Sequence, residues 1–274
     1  MARVKRCKAI TNRCSLLWVA VFELVAFAVH AKDITGVDAT TLGVVINLND
    51  AQSVAVGDYY QKRRRIPLEN IIRVRFPANV NTLSESDFAL AKTQIDRQTR
   101  GDIQSYVLTW LRPYRVACMS ITSAMAFGFS RDYCSNACKP TRISRYFDSD
   151  SKLPMLDIGV RPAMLLAATS IAHAKTLIDR GITADGSSPK GTAYLVTTND
   201  TSRNVRSARY TLAEAVVGDA IRIQRVNDFV SNAADVMFYF TGSLDVPDLS
   251  SNRFQPGAIG DHLTSSGGAL LDTD

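Results

Sequence analysis

Histidine is scarce in this 274-residue chain: there are three, His30, His173 and His262, beside five cysteines and two tryptophans. A structural zinc site needs four ligands at paired spacings. The cysteines and histidines here lack that spacing, so no metal or other cofactor is expected. The nucleophile-elbow pattern GxSxG is missing, which removes the usual α/β-hydrolase serine. Neither GxGxxG after the first strand nor GxxxxGK[ST] occurs, so nucleotide binding has no support. There is no internal repeat and no low-complexity tract. The longest apolar stretch, residues 16–29, contains Glu23. It falls short of the roughly 20 apolar residues that a membrane-spanning helix needs, so no stable span is expected.

What is present at the front reads as a leader. Arg3, Lys5, Arg6, Lys8 and Arg13 precede the apolar stretch, and Val29-His30-Ala31 supplies cleavage-site residues. Residues 1–31 are therefore expected to be a signal peptide, and the protein exported to the periplasm or beyond. The whole chain carries 32 basic and 26 acidic side chains. Five basic residues and Glu23 leave with the leader, so 27 face 25, a net +2. A balance that even gives no reason to expect a nucleic-acid partner. The run Arg63-Arg64-Arg65 reads as the end of a helix, where cations complement the dipole. Cys7 and Cys14 also leave. Of Cys118, Cys134 and Cys138, the last two are near enough in sequence to pair, with Cys118 able to take one of them instead.

Residues 32–274 read as one α/β domain. Residues 41–48 (TLGVVINL), 71–76 and 103–110 are apolar, β-branched strands. Between them lie helical segments at 51–65, behind Asn49-Asp50, and at 84–99, behind a capping-box-like Ser84 and Asp87. Strand–helix–strand–helix–strand argues for a mainly parallel sheet with helical crossovers. Residues 117–154 are an excursion that holds the cysteines. Regular structure resumes at 161–168, then a helix behind Thr169 or Ser170 closes at Gly181. Strands follow at 193–198, 221–226 and 236–240, with a helix at 211–217. Pro256 suits a first helical turn and Gly267-Gly268 a stop, so 257–265 is expected to be a short helix carrying Asp261 and His262.

In open α/β sheets, ligands bind beyond the carboxyl ends of the strands. Those ends supply Asn49 and Asp50, Arg112 and Arg115, Asn199 and Asp200, and Thr241 and Gly242, which form the candidate binding set. The same residue types cap helices. Asp261 and His262 are the candidate catalytic pair. Neighbours on a helix point about 100° apart, so Asp261 would not orient His262 as a triad acid does. A hydroxyl nucleophile would have to come from Thr241 or Ser243. His173, between two alanines, reads as structural or surface.

The segments PGAIGDHLTSSGG at 256–268, SVAVGDYYQKRRRIPLENI at 53–71 and YVLTWLRPYRV at 106–116 resemble those of a family of exported bacterial proteins, from about Leu42 onward. That resemblance implies a chain continuing past Asp274, so that this sequence is a truncated form. The order of elements is more distantly similar to the caspase-type fold, above all gingipain-like cysteine peptidases. In those, a strand ends in Gly-His-Gly and the next strand delivers the cysteine. Here the matching strand ends in Thr241-Gly242-Ser243, without histidine, and the cysteine strand is expected beyond Asp274. If a central strand lay there, an apolar sheet edge would stay open. Two functions follow: an exported domain binding a peptide or envelope component at the strand ends, or a hydrolase of cysteine-peptidase ancestry.

Overall fold

The computed structural model describes residues 36–135, 139–264 and 267–271. In chain order the elements are β1 (Leu42–Asn47), α1 (Ala51–Arg64), β2 (Ile71–Val74), β3 (Thr82–Leu83), α2 (Glu85–Gln98), β4 (Ser105–Leu108), β5 (Arg115–Val116), β6 (Met119–Ser120), α3 (Ile121–Phe127), α4 (Pro154–Ile158), β7 (Ala163–Leu165), α5 (Ile171–Ala184), β8 (Thr192–Thr197), α6 (Tyr210–Val217), β9 (Arg222–Asn227), β10 (Val236–Gly242) and β11 (Phe254–Leu263). Two four-stranded sheets, β2-β1-β4-β7 and β11-β10-β8-β9, pair in parallel throughout. A small third sheet, β3-β5-β6, contains the antiparallel pair β5–β6. The protein is thus α/β, with mainly parallel sheets flanked by helices. No helix among the described residues is long and apolar enough to cross a membrane.

Burial on both faces explains the unbroken apolar runs. Val45 of β1 joins Ile72, Val74, Tyr106 and Leu108 in the core beneath α2, whose Phe88, Ala91 and Ile95 face it. Val44 and Ile46 turn to the other side, with Ile66 and Ile71. On that side α1 lies close on β1. A Cβ on Gly57 would fall 2.5 Å from the Ile46 side chain, so only glycine allows the approach. The helix starts are set by their caps: Asp50 accepts from Gln52 N, Ser84 from Asp87 N, and Ser170 from His173 N. α5 runs past Gly181 to Ala184, because its own Ile182 continues the apolar face into the cluster that Tyr60 of α1 also joins.

The two large sheets point the same way, and α1 and α5 show it. Gln52 Nε2 donates to Ala168 O at one end of the helix pair, and Arg64 pairs with Asp185 at the other. Between these ends Asp179 accepts from both Tyr59 and Arg63, at 2.7 Å each. The Arg63-Arg64 run is therefore ion-paired as well as dipole-matched. α5 ends beside the start of β11, where a Cβ on Gly257 would lie 2.7 Å from Ala184. β11 consequently runs in the direction of β1, and the carboxyl ends of both sheets share one rim. Past β11, Gly268 lies so close to Tyr114 that an added Cβ would sit 2.9 Å from it. This joins the chain after β11 to the loop after β4.

Two expectations are corrected. The helix expected at 257–265 is not formed: Phe254–Leu263 are strand β11, and Ser265 lies outside the described residues. The helix signal from Pro256 is local, whereas β10 offers a whole ladder of backbone partners. Pro256 and Gly257 (φ +82°) instead lie at a register shift opposite Val236–Phe238. β11 follows β10 in the chain and pairs with it directly, in parallel. Cys134 is bonded to Cys118, with Cα atoms 5.6 Å apart: the alternative left open in the sequence, in place of the candidate Cys134–Cys138 pairing. Cys118 lies in the β5–β6 turn, and the 3-10 turn Arg131–Tyr133 brings Cys134 back to it. Cys138 lies outside the described residues.

A buried relay ties α1 to the first sheet. Asn47 N–H donates to Ser53 Oγ at 2.9 Å, which lies 2.9 Å from Thr109 Oγ1. Thr109 Oγ1 in turn reaches Val45 O and Ser53 O, both at 3.1 Å. Carbonyls only accept, so Thr109 donates to them and the Ser53 proton goes to Thr109. Ser53→Ala strands a buried N–H, and urea denaturation is expected to show a loss of about 1–3 kcal/mol. The Cys118–Cys134 bond has a sequence separation of 16. Cys118→Ser is expected to cost about 3 kcal/mol under oxidising conditions and little in reductant.

Candidate functional site

The second sheet carries the histidine. His262 is in register with Thr241, and Asp261 with Phe240. Successive strand residues face opposite sides of a sheet, so Asp261 and His262 point apart. Asp261 accepts from Arg206 Nη1 at 2.6 Å. His262 is exposed, whereas Thr241 is fully buried and its Oγ1 has no hydrogen-bond partner among the described residues. A hydroxyl sealed off in this way cannot attack a substrate. His262 is thus an exposed imidazole that Asp261 does not orient, Thr241 is no nucleophile for it, and Ser243, the other hydroxyl candidate, is half-buried beyond the end of β10.

A turn and helix cover the end of β10. The 3-10 turn Asn204–Arg209 leads into α6. Asn204 Oδ1 accepts from Thr198 N at 3.0 Å. The Tyr210 hydroxyl lies 3.3 Å from both Val196 O and Phe240 O, which bridges β8 and β10. Gly242 is required by contact, since a Cβ there would fall 1.9 Å from Arg203 O. Asp200 accepts from Arg203 N at 3.0 Å and from Arg203 Nη1 at 2.8 Å. The side-chain hydrogen bond from Arg203, first of all, holds the Asp200 carboxyl below its ordinary range.

The candidate binding residues fall into two groups. Asp200, Thr241, Gly242, Asp261 and His262 gather at the ends of β8, β10 and β11, with Asn199 exposed at the β8 end. Asn49, Asp50, Arg112 and Arg115 belong to the first sheet and its small neighbour. Asn49 donates to Phe76 O at 3.2 Å and accepts from Arg75 at 3.1 Å. Asp50 caps α1. Arg112 follows β4, close to where Trp110 Nε1 donates to Pro113 O at 3.0 Å. Arg115 lies in β5, donates to Thr82 Oγ1 at 2.7 Å and stacks over Tyr114. Much of this set holds the fold together. His173 is exposed on α5, its Nδ1 2.9 Å from Thr169 Oγ1.

Sequence reasoning passed over Arg203 and Arg206, which hold the two acids of the site. The Asp200-x-x-Arg203 spacing across a turn was the available signal. It also passed over Arg180, whose Nη2 donates to Phe254 O at 3.1 Å, on β11.

Comparison of the chain with protein-family models, with curated proteins and with solved structures finds no match in any of the three. The class that the coordinates define is an α/β protein of two parallel sheets with a common strand-end rim. β11, next to β10, ends in His262-Leu263 and contains no cysteine.

The Asp200 shift sets a pH dependence. A depressed folded-state pKa stabilises above the unfolded value, and the contribution is lost as pH falls through the folded value. Asp200→Asn is expected to lower the melting temperature at about pH 7, and the deficit to close towards about pH 3. Thermal melts of both proteins across that range check it.

Proposed function

We propose that this chain is an exported α/β protein that binds an extended peptide, added as a further strand along β11. The observation carrying the reading is the state of that strand. β11 is ten residues long, ends its sheet, and has no fully buried residue. Edges of this kind are usually short, bulged, charged or covered, because their free N–H and C=O groups invite another chain. α5 touches β11 at Phe254 and Gly257. Beyond that point Ile259 is 51% exposed, and a Cβ on Gly260 would meet nothing within 4 Å. An open backbone edge flanked by apolar side chains is what strand addition uses. His262, at the far end of the edge, serves as a polar handle for the bound backbone.

The near-neutral mature charge supports a peptide or an envelope component over nucleic acid. The hydrolase reading keeps one point in its favour: β11 stands beside β10, where the caspase-type order places its nucleophile strand. Hydrogen exchange with a mixture of extended apolar peptides separates these readings. Binding is expected to protect amides of residues 259–263. Ile259→Lys places a charge on an exposed edge position and is expected to weaken binding about tenfold or more with an unchanged melting temperature. Absence of protection at 259–263 would overturn strand addition. Peptide cleavage that disappears in His262→Ala would favour the hydrolase.

A further inference from the structure

Beside the first half of β11 runs a groove of about 480 Å³, walled by α5 and the strand. We infer that this groove selects peptides carrying an acidic side chain two positions from an apolar one, with Arg180 as the residue that recognises the acid. The inference rests on strand addition at β11 and specifies what the added strand contains.

The backbone geometry fixes where Arg180 stands. Val236 N donates to Arg253 O at 3.0 Å, so residue 253 turns its carbonyl towards β10. Carbonyls alternate along a strand, and Phe254 O therefore points away from β10, to the side of α5 and the groove. Arg180 Nη2 donates to it there at 3.1 Å. An incoming peptide N–H would seek that same acceptor. Among the described residues, the Arg180 guanidinium makes this hydrogen bond and no ion pair. A guanidinium has five donors and binds carboxylates in a fork. On binding, the peptide N–H takes the Phe254 carbonyl, and Arg180 turns to a peptide carboxylate.

The lining supports the same chemistry. Among the described residues that line the groove, the ionisable ones are His173 and Arg180, and none is a carboxylate. Asp179, next to Arg180 in sequence, is engaged by Tyr59 and Arg63. Leu177, 51% exposed, together with Phe254 and Ala258 gives an apolar floor. In an extended peptide, side chains two apart share a face. One can then rest on Leu177 while the next on that face reaches Arg180.

The test uses the full chain and fluorescence anisotropy with three labelled peptides, identical except for Glu, Gln or Lys two positions from a central leucine. Wild type is expected to bind the Glu peptide about tenfold more tightly than the Lys peptide, a charge-assisted hydrogen bond being worth at least that factor. Arg180→Glu is expected to reverse the order, and Arg180→Gln to level it. Both sites of change are exposed, and melting curves confirm that the variants fold. Equal affinity of wild type for all three peptides, with Ile259→Lys still weakening each, would overturn the acidic selectivity and leave strand addition standing. Failure of every peptide to bind would overturn both.

Discussion

The fold depends on a chain of three buried hydrogen bonds. Asn47 N–H, Ser53 Oγ, Thr109 Oγ1 and the carbonyl of Val45 form a relay inside the first sheet. Each link joins a different element: the end of β1, the first turn of α1 and the end of β4. Ser53 and Asn47 are fully buried, and Thr109 nearly so. A buried polar group without a partner costs free energy of the order of the whole net worth of a hydrogen bond or more. The arrangement therefore admits one seating of α1 on the sheet. The Asn47 side chain extends the constraint by donating to Phe76 O at 3.1 Å, which fixes the chain after β2 as well.

From that seating the rest of the rim follows. α1 fixes α5 through Tyr59, Arg63 and Arg64, which meet Asp179 and Asp185. The end of α5 meets the start of β11, so the second sheet is aligned with the first. The polar residues at the strand ends are then largely occupied. Asp50 caps a helix, Asn49 bridges Phe76 and Arg75, and Asp200 holds Arg203. Parallel sheets need this, because every strand end is followed by a chain reversal whose backbone donors and acceptors have to be matched. Along β11, Leu177, Ile259 and His262 are exposed, and Arg180 meets the start of the strand. Function was sought at the strand ends, and the accessible surface lies along a strand edge that reaches them.

The strands and helices of the first half were legible because each is specified locally. β1, β2 and β4 are short apolar runs bounded by polar residues, and α1, α2 and α5 each begin behind a residue whose side chain accepts from the first turn. The small sheet of β3, β5 and β6 escaped notice, since two-residue strands carry no periodicity. The segment around His262 was misread for the opposite reason. Pro256 and the glycines are strong local signals for a helix, but an extended conformation gains a full set of partners from β10. Likewise, the spacing of Cys134 and Cys138 suggested a local pair, whereas Cys118 is brought to Cys134 by two turns that contact each other only in the folded chain.

Composition and pattern by themselves determined the α/β class and the parallel direction of the first sheet. Apolar runs must be buried on both faces, and helical connections force strands to run the same way. Only the tertiary structure decided which polar residues remain available. A side chain's partner is set by what other elements place beside it. Asp261 is beside His262 in sequence, yet pairs with Arg206, 55 residues earlier. Arg180, on a helix chosen for its apolar face, ends at a backbone carbonyl of β11, 74 residues later.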